Sequence, residues 1–161
     1  MATYVEPWAR VKQGQIQADQ VWKELVEGLP KGLPEAGDLG LDHTPTWGRV
    51  YWGGAVYFFL ADLEIRKRTD NKLGLREALA GATAAGLNAS VTADFNRVLK
   101  AGDDAVGHPV LTELYAAMKA DPHPVDLDAI WKDLGVVYKA GEVSFDDTAP
   151  LADTRKAMSA P

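Results

Sequence analysis

Cysteine is absent from the 161 residues. That excludes disulfides, thiolate nucleophiles and cysteine-based zinc sites together. Basic charge is in deficit: 17 Lys and Arg stand against 23 Asp and Glu, a net charge of −6. A nucleic-acid binder needs basic surface facing phosphates, so that class of partner is not expected. The longest apolar run of the central segment, Ala55 to Ala61, falls far short of the roughly 20 residues that span a bilayer. It reads as a buried core helix. The opening residues, Met1 to Arg10, lack a basic start and a small-residue cleavage site, so no signal peptide is expected. The compartment is left open. Internal repeats and low-complexity tracts are also lacking.

The chemistry-bearing motifs are equally sparse. The three histidines, His43, His108 and His123, form no H-x-x-x-H pair that would set two imidazoles on one helical face. They read as loop histidines, and no metal ligands are expected within the chain. Neither a nucleophile elbow nor a phosphate-binding loop is present. Asp103-Asp104 and Asp146-Asp147 lack calcium-loop spacing and read as solvated turn aspartates. The basic cluster Arg66-Lys67-Arg68 reads as the solvated end of a helix.

What is present is helical periodicity almost throughout. Helices are expected from Thr3 to Lys12, from Gln20 to Glu27 behind an Asp19 cap, and from about Val50 to Arg68. Further helices follow over Leu75 to Ala85, after a Thr92 cap, after Pro109, over Leu127 to Leu134 between Asp126 and Gly135, and near Ala149 to Met158. Pro7 is expected to interrupt the first. Residues 136–145 alternate around Ala140-Gly141 and predict a small β-hairpin. The 21 residues from Gly28 to Gly48, with Pro30, Pro34 and Pro45, read as an irregular connection of a length that is often functional. The expected class is mainly α: a single helical domain over residues 1–161, arrayed around a long buried helix, with the hairpin near the C-terminus.

The strongest local signal is Gly48 to Thr69, "GRVYWGGAVYFFLADLEIRKRT". A helix apolar on every side begins with Tyr51-Trp52-Gly53-Gly54 and ends in cations, which favour the negative end of the helix dipole. From the residues alone, Tyr51 is a half-buried packing residue and Glu6 a surface carboxylate.

Residues 50–79, "VYWGGAVYFFLADLEIRKRTDNKLGLREAL", resemble the stretch that follows the zinc site in the gluzincin metallo-aminopeptidases, the alanyl and glycyl aminopeptidase group. In that family a Tyr-x-Lys-Gly motif opens a long buried helix. The start "MATYVE", Met1 to Glu6, is similar to the last six positions of the family's E-G-x-A-x-Y-x-E segment. The likeness covers roughly residues 1 to 100. Two features depart from the pattern: H-E-x-x-H and the ligand glutamate are missing, and Gly53 stands where relatives usually carry Lys.

The resemblance implies the C-terminal helical half of a zinc aminopeptidase catalytic domain, inactive alone. Zinc would belong to the full-length parent, with none expected in this chain. Tyr51 is the implied catalytic residue, a neutral phenol donating to the oxyanion of the transition state. Trp52, Gly53 and Gly54 are the implied substrate-cleft residues. Glu6, about two helical turns past the missing ligand glutamate, would orient a ligand histidine. The expected partners are the remainder of the parent domain, a peptide substrate and a second copy of the chain through the uncovered apolar face. The alternative is a non-catalytic helical module that binds a protein or peptide beside Trp47, Tyr51 and Trp52.

Overall fold

The computed structural model describes residues 2–88 and 90–160. Within them run eight α-helices and one hairpin: α1 Ala2–Lys12, α2 Ala18–Gly28, α3 Gly54–Arg68, α4 Leu75–Ala84, α5 Phe95–Val106, α6 Val110–Met118, α7 Leu127–Leu134, β1 Val136–Lys139, β2 Glu142–Phe145 and α8 Ala152–Ser159. The chain is mainly α, as its periodicity predicts. No helix among the described residues is long and apolar enough to cross a membrane.

Helix α3 is the axle. Nine of its residues are buried, from Ala55 to Ile65, and they face every direction around the helix. Such a helix must be wrapped by others. Tyr4 of α1 meets Phe59 edge-on at 6.2 Å, and Trp131 of α7 meets it at 5.2 Å. On the opposite side the Tyr57 hydroxyl donates to the Leu111 carbonyl of α6 at 2.8 Å. Trp22 of α2 fills the space between Trp8 and Trp131, and its indole N–H donates to Ser159 of α8 at 2.8 Å. Helices from both ends of the chain thus close over α3.

The hairpin is tied in by α8. Ala140 and Gly141 take positive φ values of 54° and 85°, the left-handed pair that a two-residue turn between twisted strands requires. Register runs from Val136 opposite Phe145 to Lys139 opposite Glu142. Arg155, buried, donates to the Leu134 and Gly135 carbonyls at 2.9 and 3.1 Å, lies 4.6 Å over the Phe145 ring and pairs with Asp147.

Several local expectations are corrected. Pro7 does not interrupt α1 but lies buried inside it, because Tyr4 and Pro7 together pack inward and offset a cost of roughly 3 kcal/mol. The residue before α2 is Gln17, whose N–H donates to the Gln20 side chain at 3.0 Å; Asp19 sits in the first turn. Asp94, not Thr92, caps α5 by accepting from Asn96 N–H at 2.7 Å. Asp103 is not a solvated turn residue. It is buried, accepting from the N–H groups of Leu111 and Thr112 at 2.7 and 3.0 Å, so it caps α6 from outside. Arg66 is no solvated helix end either, since its guanidinium bonds the buried Asp62 at 3.0 Å.

Candidate functional site

The central helix begins earlier and less regularly than its apolar pattern predicts. Helical backbone starts at Trp47, with Val50 N–H bonded to the Thr46 carbonyl at 2.9 Å, and Arg49–Gly53 form a π-helical turn before α3 proper. Such wide turns are rare and are frequent at functional sites. Tyr51 and Trp52 lie at its centre.

The turn is pinned from beneath by a buried ion pair. Arg49 Nε lies 2.6 Å from Asp38 Oδ2, and Arg49 Nη1 donates to the Gly32 carbonyl at 2.7 Å. Asp38 Oδ1 accepts from Gly40 N–H at 2.8 Å. The connection from Gly28 to Gly48 is therefore not slack chain. Its first part, Leu29–Gly32, is a 3-10 turn, and its middle is stitched to the end of α6 by Leu41 N–H to the Met118 carbonyl at 2.9 Å. Tyr115 adds a bond of 2.8 Å from its hydroxyl to Asp42; burial first, then that bond, push its phenol up to about 12.

Side chains divide sharply on this platform. Trp52 turns inward, with its ring against Gly28 and its carbonyl against Gly32; a Cβ at either glycine would overlap it. Lys31 Nζ caps the ring at 5.6 Å. Gly53 is buried against Leu41 and Arg49, and Gly54 is half-buried. Tyr51 turns outward. It is 55% exposed and stacks at 5.3 Å on Trp47, four residues earlier on the same face, which is 64% exposed. Val50 at 62% and Leu39 at 59% are also among the most exposed large apolar residues. An exposed phenol at the head of a rigid helix is a hydrogen-bond donor that loses little freedom when it binds.

Glu6 is held elsewhere. It lies exposed on α1, 3.8 Å from Arg10, while that helix packs through Tyr4 onto Phe59 and Asp62, well along α3 from Tyr51. Its hydrogen bonds and ion pairs do not link it to Tyr51. Among the described residues no three His, Asp or Glu side chains gather as a metal site.

No family model, curated protein or solved structure matches the chain. The site is therefore read from its own residues. Sequence reasoning missed two parts of it. The π-turn had a faint signal in Gly53-Gly54, adjoining residues of weak helix propensity. The Asp38–Arg49 pair had none, because it joins two polar residues in a segment without periodicity.

Proposed function

We propose that this chain is the helical part of a zinc-aminopeptidase-type catalytic domain and that Tyr51 is its transition-state donor. The observation that carries the reading is the outward Tyr51 phenol on a π-turn, packed on exposed Trp47 and next to exposed Val50. Contiguous exposed apolar groups of this kind mark a surface that other polypeptide or a substrate covers. In this reading zinc and its ligands belong to polypeptide outside the chain. The chain's own contribution is the phenol, which donates to the carbonyl oxygen of a peptide bond as negative charge develops there. A preorganised donor of this kind contributes about 2.7–4 kcal/mol to the transition state. Trp52 and the Gly28–Gly32 backbone hold the turn that aims it.

The same exposed Trp47–Tyr51 pair also favours a second reading, a non-catalytic groove for an apolar peptide. The coding DNA immediately upstream of residue 1 separates the two. The enzyme reading expects an in-frame H-E-x-x-H followed by a Glu-Gly pair ahead of Met1. A stop codon just upstream, with a native start at Met1, would defeat it and leave the peptide-binding module.

A further inference from the structure

A cleft lies between α1, α3, α4 and the end of α8, with a volume of about 420 Å³. That falls within the roughly 300–1,000 Å³ of small-molecule sites. Asp62 and Arg66, on its wall, are 11 and 15 residues past Tyr51, or roughly 17–22 Å further along the helix axis. Its apolar lining comes from Val5, Trp8, Leu75, Leu79 and Met158.

The charge around this lining is unusual for so acidic a protein. Both carboxylates in the wall are consumed by their neighbours. Asp62 accepts from the Tyr4 hydroxyl at 2.8 Å, from Arg66 at 3.0 Å and from Leu75 N–H at 2.8 Å. Glu77 accepts from Gly74 N–H at 2.8 Å. The remaining cations are poorly matched. Lys72 reaches Asp70 only at 4.0 Å and Arg76 reaches Glu77 only at 4.0 Å, with both side chains more than two-thirds exposed. Lys12 makes no ion pair among the described residues. Three exposed cations, two of them only loosely paired and one without an ion pair among the described residues, thus line an apolar cleft on a chain of net charge −6.

We infer that this cleft binds an amphipathic organic anion, its hydrocarbon body on the Trp8–Leu79 lining and its carboxylate or similar head among Lys12, Lys72 and Arg76. An apolar body gains by leaving water. The head meets cations whose acidic partners among the described residues come no closer than 4.0 Å, and these attract an anion through exposed, salt-screened pairs. A cationic amphiphile has the same body and is repelled.

Isothermal titration of the whole chain with decanoate tests this, with decylamine as the matched cation. The expected result is saturable binding of one decanoate per chain, weakening as salt rises, and much weaker binding of decylamine. Exchanging both exposed cations, Lys72→Glu with Arg76→Glu, should weaken decanoate by about tenfold or more while circular dichroism stays unchanged. Absence of saturable decanoate binding overturns the inference. So does equal affinity for decylamine, or an unchanged affinity in the double variant, which would place the ligand away from this cleft. Should the double variant lose its helical signal, the wild-type comparison of the two amphiphiles and its salt dependence decide alone.

Discussion

Replacing Asp38 by alanine should destabilise the fold out of proportion to its place in an irregular connection. Asp38 is buried, and so is its partner Arg49 at 2.6 Å. Removing the carboxylate leaves a guanidinium out of water with only the Gly32 carbonyl, at 2.7 Å, as a remaining acceptor. Breaking one side of a buried pair costs about 3–5 kcal/mol. Loss of the Gly40 N–H acceptor adds about 1 kcal/mol. Total stability for a domain is about 5–15 kcal/mol, so the loss is a large fraction of it. In a urea titration with a slope of about 2 kcal/mol/M, the midpoint should fall by about 2–3 M. The double variant Asp38→Leu/Arg49→Met should recover most of it, since apolar replacement of a buried pair is often neutral. A midpoint within about 0.3 M of wild type for Asp38→Ala would refute the reasoning; so would a double variant as unstable as the single one.

Three other outcomes are expected. Gly28→Ala places a methyl group into the Trp52 ring and should cost about 1–3 kcal/mol by overpacking, read as a lower melting temperature. Burial raises the phenols of Tyr4 and Tyr57, with Asp62 and Asp103 adding to the shift, and burial raises that of Tyr115 to about 12. These shifts contribute stability that is complete below about pH 10 and lost as pH climbs through the folded values, so the absorbance of these three tyrosinates should lag and then appear together with unfolding; their ionisation near pH 10 with helical dichroism intact would contradict this. The chain should self-associate through Leu39, Trp47, Val50 and Tyr51, and Val50→Asp should weaken that association; light scattering from a clean monomer at high concentration would count against it.

Legibility followed the range of the interaction. The α3 helix was readable from its unbroken apolar run, α7 from Asp126 and Gly135, and the hairpin from alternation around Ala140-Gly141, because each rests on neighbouring residues. The Tyr4–Asp62 and Asp38–Arg49 contacts were not, since polar pairs 58 and 11 residues apart leave no period. Asp103 misled for the same reason: its partners, Leu111 and Thr112, are in the next helix. At the site, the neighbours of Tyr51 suggested a half-buried packing residue, whereas it is 55% exposed; its outward direction was not legible, because Tyr51 lies in a π-turn where Arg49 is the residue buried.

Tyr51 carries the central proposal, and Tyr51→Phe tests it directly in the longer, metal-bearing enzyme that the proposal requires. Phenylalanine keeps the ring on Trp47 and removes only the donor. The account predicts that kcat for peptide hydrolysis falls by about 100- to 1,000-fold while KM changes little. A kcat equal to that of the wild type would contradict it.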